Sequence, residues 1–262
     1  ANYRGITLLD VMSKLFNKVL ADRLLKYVEQ HGLLHEGQNA FRPGRSTDEH
    51  IYALSQVVKG RQRAGQATFA FYLDLSKAYD TVWRDALLYK LWNKGVRGKM
   101  WRYISDMYSR TDRAVRCGDA TSPMFQVDLG TAQGDTLSCI IFDIYVDDLL
   151  QEVESVCSGV PLPTPHTADC TGADPGAQPE PPGADSLKAL MFADDFTGVA
   201  ATAAELQHCV SVCERWCAKW RMAANIGPKK SAYMVFAPEH AGRLEQDHPL
   251  QWNGKALSLI HI

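Results

Sequence analysis

The feature that most constrains the fold is a change of period near residue 70. Phe69, Phe71, Leu73 and Leu75 alternate with Thr68, Ala70, Tyr72 and Asp74, a period of two that predicts a strand with Asp74 near its end. The segments around it repeat at three and four. In the first, Met12, Leu15, Phe16, Val19, Leu20 and Leu24 predict a helix that Asp10 can cap and Gly32 can stop. In another, Leu137, Ile140, Ile141, Ile144, Tyr145 and Leu149 follow Gln133-Gly134-Asp135. Ser46-Thr47-Asp48-Glu49 reads as a capping box opening a helix to about Gly60. Helices are expected around residues 85–93, 100–108 and 203–221, and a strand over 232–236, the last element visible. Arg113–Cys117 and Met124–Leu129 read as paired strands. Both strands and helices are expected, so the chain reads as neither all-α nor all-β.

Composition excludes several alternatives. With 46% hydrophobic and 22% charged residues the chain can bury a sizeable core, which a disordered or collagenous chain cannot. No apolar run approaches the roughly 18 to 20 residues of a membrane helix, so no membrane partner is expected. Seven cysteines without framework spacing suit an intracellular, reducing setting. Cys209, Cys213 and Cys217 fall on one helix with Leu206, Val210, Trp216 and Trp220. A single rigid helix cannot wrap three such thiolates around one tetrahedral ion, so they read as core. Residues 1–130 carry 20 Lys+Arg against 13 Asp+Glu, and the remainder 8 against 17. The basic part can attract a polyanion and the acidic part cations. Seven of the twelve prolines lie in residues 158–186, which read as an exposed, disordered insertion.

Two Asp-Asp pairs compete for the chemistry. Asp194-Asp195 lies between the strand-like runs 188–192 and 196–200, where a hairpin turn aims side chains outward. Asp147-Asp148 lies within a helical period and is assigned to a solvated helix face. A strand-end Asp and an Asp pair on a hairpin turn are what two-metal phosphoryl transfer needs, carboxylates converging from separate rigid elements.

These segments carry a resemblance. Phe71-Tyr72-Leu73-Asp74-Leu75-Ser76-Lys77-Ala78-Tyr79-Asp80 resembles motif A of reverse transcriptases, Gln133-Gly134-Asp135-Thr136-Leu137-Ser138 motif B, and Phe192-Ala193-Asp194-Asp195 motif C. Lys229-Lys230-Ser231 ahead of Tyr233-Met234-Val235-Phe236 is similar to motif D. Residues 3–9 and Phe41-Arg42-Pro43-Gly44-Arg45-Ser46-Thr47 resemble fingers blocks of the non-long-terminal-repeat (LINE-like) retrotransposon branch. Six motifs in family order cover nearly the whole chain. Departures are Ala132, Thr136 and Cys139, where the family commonly has Arg, Pro and Pro.

The resemblance implies an α+β fold, a right-hand polymerase palm in which a small antiparallel sheet is backed by helices, with partial, mainly helical fingers and no thumb. Its expected parts are partial fingers over 1–66, palm over 67–157 and 187–262, and the insertion between. It implies RNA-directed DNA polymerase activity within a retrotransposon polyprotein, acting on an RNA template, a DNA primer and deoxynucleoside triphosphates, with two Mg²⁺ ions or Mn²⁺ in their place. Asp74, Asp194 and Asp195 would be the metal ligands, with the Leu75 carbonyl as an additional one. Tyr79 would be the steric gate against a ribose 2′-hydroxyl. Gln133 and Gly134 would approach the nucleotide, Lys230 would meet the pyrophosphate, and Arg42 and Arg45 would meet phosphates. Family analogy suggests the nucleus. A group II intron-type polymerase, or an inactive palm kept as a nucleic-acid-binding scaffold, are the alternative readings.

Overall fold

The computed structural model describes residues 6–109, 111–162, 186–227, 230–238 and 249–260. The first half of the chain contributes α1 (Val11–Gln30), α2 (Thr47–Arg63), β1 (Thr68–Leu73), α3 (Ala78–Thr81), α4 (Arg84–Asn93) and α5 (Gly98–Ser109). Four short strands follow, β2 (Asp112–Arg113), β3 (Arg116–Cys117), β4 (Ala120–Thr121) and β5 (Phe125–Gln126), then the long α6 (Thr136–Val156). Next come β6 (Val160–Pro161), β7 (Ser186–Leu187), β8 (Ala189–Phe192), β9 (Asp195–Ala200) and α7 (Ala203–Trp220). The described chain closes with β10 (Ala232–Phe236), β11 (Gln251–Trp252), β12 (Lys255–Ala256) and β13 (Ser258–Ile260). Among the described residues no helix is long and apolar enough to cross a membrane.

The chain divides into two compact units. One comprises residues 37–74, 149–216 and 224–262, and holds a five-stranded sheet in the order β13-β10-β1-β9-β8. Central β1 pairs antiparallel with β10 and β9, so both its edges are hydrogen-bonded, and Ala70 and Phe71, which point to opposite faces of the sheet, are fully buried. On this unit's part of α7, Leu206, Cys209, Val210, Cys213 and Trp216 are buried, as the apolar stripe predicts. Gly198 on β9 has no room for a side chain, because a Cβ there would stand 2.6 Å from the Cys209 sulfur. Against a hydrogen bond with Cys157 that lowers it, the Cys213 thiol and burial push Cys209 well above the ordinary thiol range, which keeps it protonated and inert.

The C-terminal part of this sheet departs from expectation. β13 adds parallel to β10, with Ala232 opposite Ser258, beyond the last strand read from sequence. β11 and β12 form a hairpin across Asn253-Gly254, whose φ values of 45° and 75° suit the Asn-Gly pair of a tight turn. That dipeptide was the available signal.

The Pro-rich stretch lies mostly outside the described residues, but its ends meet. Val160 pairs with Leu187 and Pro161 with Ser186. Replacing residues 163–185 by a two-residue Asn-Gly loop is therefore expected to leave the sheet intact. Closing the chain needs only a short turn, and a shorter loop costs less closure entropy. Thermal unfolding should shift by no more than a few degrees, and a large loss would show that the segment docks on the domain.

The other unit comprises residues 1–36, 75–148 and 217–223, and is mainly helical. Asp10 caps α1 as expected, accepting the Ser13 N–H at 2.9 Å, and Gly32 follows the helix at φ +57°. The apolar period of α1 divides in two. Leu20, Ala21, Leu24 and Val28 are buried, whereas Val11, Met12, Leu15 and Phe16 are exposed. The reading of Arg113–Cys117 against Met124–Leu129 is realised as two shorter ladders, β2 with β5 and β3 with β4.

Asp147 and Asp148 correct the expectation of a solvated helix face. Lys90 and Lys94 stand one turn apart at the end of α4 and just beyond it. Lys94 Nζ lies 2.6 Å from Asp147, whose side chain is fully buried, and Lys90 Nζ lies 2.7 Å from Asp148. The His35 N–H donates to Asp147 at 2.6 Å. Lys90 also donates to the Tyr145 carbonyl at 2.5 Å and sits 3.8 Å from the Trp220 ring centre. Asp147 fully and Asp148 in large part are thus taken from solvent by two long cationic side chains, a partnership that helical period cannot reveal.

Candidate active site

Three carboxylates, one lysine and a buried glutamine belong to the sheet-bearing unit. Strand register organises them. Leu73, the last residue of β1, pairs with Phe196, and Phe192 pairs with Asp195 across the β8–β9 turn. Asp74 and Asp195 are each one residue further along, at the same end of neighbouring strands spaced by about 4.8 Å. Asp194 is the second residue of the turn, and the exposed Asp195 opens β9.

Asp74 is held by its backbone. Its N–H donates to Ser231 Oγ at 3.0 Å, and its carbonyl accepts the Asn225 N–H at 2.8 Å. Its carboxylate is 3.0 Å from Lys230 Nζ, with both side chains partly exposed. The lysine expected at the pyrophosphate thus approaches the first carboxylate. Lys229 lies outside the described residues.

The donor chemistry suits a hard divalent cation, since all three groups are carboxylates. Among the described residues no three His, Cys, Asp or Glu side chains already stand together as a metal cage. The set is open, with a lysine ammonium against Asp74.

Two residues of this unit have roles that sequence reading missed or misjudged. Gln38 is fully buried and hydrogen-bonds the backbone of Ala193, the residue before Asp194. Arg42, expected to meet phosphate, is buried, and its Nη1 donates to the Gln38 carbonyl at 2.9 Å. Arg45 is half-buried on the same loop.

The remaining expected residues belong to the helical unit. Leu75 is buried at the start of its segment. Tyr79 is half-buried and stacks on Phe142 of α6, ring centres 4.3 Å apart and planes inclined by 17°. Its carbonyl accepts the Thr131 N–H at 2.8 Å. Gly130 packs against the Asp80 backbone, where a Cβ would come within 2.6 Å of the carbonyl oxygen, and its φ of +81° also favours glycine. The buried Arg84 secures this loop by donating to the carbonyls of Gly130 at 3.0 Å, Tyr108 at 3.0 Å, Leu129 at 3.2 Å and Val127. Arg84 is the second missed residue, since an arginine within a helical pattern gives no sign of this role.

Beyond the clamp, the Gln133 carbonyl accepts the Thr7 N–H at 2.9 Å. Gly134 is exposed at φ +105°, a conformation that a side chain would strain. Asp135 is buried and accepts from Asn17 Nδ2 at 3.1 Å, while Asn17 accepts from the Tyr103 hydroxyl at 2.9 Å. This buried network anchors the start of α6.

A model of the family described as reverse transcriptase (RNA-dependent DNA polymerase) matches residues 1–256. The chain belongs to the reverse transcriptase family. Curated relatives include RNA-directed DNA polymerases and Pol polyproteins of mobile elements. The "Probable RNA-directed DNA polymerase from transposon BS" of Drosophila melanogaster is 26% identical over 238 residues, 90% of this chain and 24% of that protein. A Pol polyprotein from the type-1 retrotransposable element R2 of Nasonia vitripennis is 26% identical over 211 residues, 80% of this chain and 18% of that protein. The chain thus spans about a quarter or less of these relatives. Among solved structures, apo telomerase from Candida tropicalis truncated from its C-terminal domain aligns with a TM-score of 0.50 at 12% identity. That alignment covers 82% of this chain and 41% of the telomerase. The likeness bears on fold, and it agrees with the α+β palm expected from sequence. Reverse transcriptases generally use divalent metal ions, which the carboxylate chemistry of Asp74, Asp194 and Asp195 fits.

Proposed function

We propose that this chain is the polymerising domain of a LINE-like retrotransposon reverse transcriptase, adding deoxynucleotides to a primer 3′-hydroxyl on an RNA template. The observation that carries the reading is the register that brings Asp74 and Asp195 to neighbouring strand ends, with Asp194 on the adjoining turn. Asp74, Asp194 and Asp195 would hold two Mg²⁺ ions, or Mn²⁺ in their place, with the Leu75 carbonyl as a further ligand. Bound there, the ions would supply Lewis acidity to the attacking hydroxyl and counter-charge to the departing pyrophosphate.

The chain's own groups do the rest. Lys230 can release Asp74 and turn its ammonium to the pyrophosphate as donor or counter-charge. Gln133 offers both a donor and an acceptor to the nucleotide, and Gly134 allows backbone to approach it. Arg45 supplies a planar fork for phosphate, while Arg42 shapes its loop. In this reading residues 1–66 are fingers, and residues 67–157 and 187–262 are palm. The direct test is primer extension on RNA and DNA templates with each divalent ion. Metal-dependent extension on RNA is the expected result, and binding without extension would leave the scaffold reading in its place.

Tyr79 is assigned to sugar discrimination, because its ring, braced by Phe142, would crowd a 2′-hydroxyl. Tyr79→Ala is expected to raise ribonucleotide incorporation relative to deoxynucleotide by on the order of tenfold or more, about 1.4 kcal/mol per factor of ten. Competing incorporation at fixed primer measures it. An unchanged ratio with activity retained would make Tyr79 a packing residue.

A further inference from the structure

We propose that Gln38 is a positioning residue for the Asp194-Asp195 turn, its carboxamide holding Ala193 in a conformation the turn would otherwise leave. The proposal rests on the assignment of those carboxylates to metal binding. Phe192 pairs with Asp195, so β8 and β9 are joined by only two residues, Ala193 and Asp194. Ala193 has φ +56°, in the left-handed region that a Cβ disfavours. Two-residue hairpin loops usually place glycine, asparagine or aspartate where φ is positive. An alanine there needs support from outside the turn.

Gln38 gives that support from 155 positions away in sequence. Its Oε1 accepts the Ala193 N–H at 3.1 Å, and its Nε2 donates to the Ala193 carbonyl at 3.4 Å. Both backbone polar groups of one strained residue are thus bound by one side chain. Oε1 also accepts the Ala40 N–H at 3.1 Å. Only a carboxamide can do this, because a glutamate has no donor for the carbonyl and would bring a negative charge beside two aspartates.

The glutamine is itself fixed. Its backbone forms a parallel bridge with Met191, and the flanking hydrogen bonds run from the Met191 N–H to the Gly37 carbonyl at 2.8 Å and from the Asn39 N–H to the Met191 carbonyl at 3.1 Å. Arg42 binds the Gln38 carbonyl from within the loop. The loop and β8 therefore move together, and the direction of Asp194 follows from the grip on its neighbour. Outer groups that orient metal ligands commonly alter metal affinity 10- to 100-fold when removed.

The test uses Gln38→Met, similar in length and without the hydrogen bonds, and Gln38→Glu, which keeps the acceptor. Three measurements are made on the full chain: amide hydrogen exchange at Ala193, Mn²⁺ affinity by calorimetric titration, and the metal dependence of primer extension. Exchange at Ala193 should accelerate in Gln38→Met, whereas Gln38→Glu keeps the acceptor of that N–H and loses the donor to the carbonyl. In both, Mn²⁺ affinity should fall about 10- to 100-fold, and extension should recover as metal concentration rises. Adding Ala193→Gly, which tolerates positive φ, should restore part of the affinity. Unchanged Ala193 exchange in Gln38→Met would overturn the proposal, as would a lowered thermal midpoint with unaltered Mn²⁺ affinity. A wild-type chain that neither binds Mn²⁺ nor extends primers would instead refute the polymerase reading, and Ala193 exchange would still decide whether Gln38 holds the turn.

Discussion

Asp195→Asn is expected to lower primer extension by about a thousandfold or more while the domain stays folded. The substitution keeps the shape of the side chain and removes one of the charges proposed to hold the metal ions. Loss of several kcal/mol of transition-state stabilisation corresponds to that factor. Folding should be little affected, because Asp195 is exposed and its strand pairing with Phe192 is made by backbone. Surface substitutions of this kind usually fall within about 0.5 kcal/mol. Primer extension and a thermal melt on the same preparation measure both quantities. Full activity in the variant would remove Asp195 from the metal site, and a large drop in melting temperature would make its role structural.

Asp147→Ala is expected to do the opposite, destabilising the fold by about 3 to 5 kcal/mol, since removing one partner leaves the other charge uncompensated in a low-dielectric setting. Lys94 would lose its carboxylate at 2.6 Å and the His35 N–H its acceptor. For a chain of this size the melting temperature should fall by roughly 10 °C or more. Asp148→Ala should cost less, because its side chain is 26% exposed and water can replace part of the lost interaction. Replacing Asp147 and Lys94 together by Leu and Met should recover much of the loss, as apolar substitutes for buried ion pairs often do. A double-mutant cycle followed by thermal unfolding isolates the pair energy. A melting temperature unmoved in the Asp147 single variant would restore the solvated-face reading that the structure corrects. The two Asp-Asp pairs are thus separable by experiment, one expected to govern activity and the other stability.

The local patterns were legible in the sequence because they depend on neighbours a few residues away. Alternation over 68–75 marked β1 and put Asp74 at its end. Runs on either side of Asp194-Asp195 marked the hairpin, and spacings of three and four marked α1, α6 and α7. The three carboxylates proposed for the metals were all found in this way. Tertiary structure decided what lies between distant parts of the chain. That Asp147 is buried depends on Lys94, 53 positions earlier, and that Ala193 holds a positive φ depends on Gln38, 155 positions earlier. That β10 gains a parallel neighbour depends on a three-residue strand too short to show a period. Arg84 opens α4, one residue before the helix expected from the sequence, and nothing local to it shows that its donors close on four carbonyls. Periodicity reports which face of an element is apolar. It does not report which polar group meets that face, because a polar residue is buried only where a partner from elsewhere satisfies its hydrogen bonds, and that partner exists only after the chain has folded.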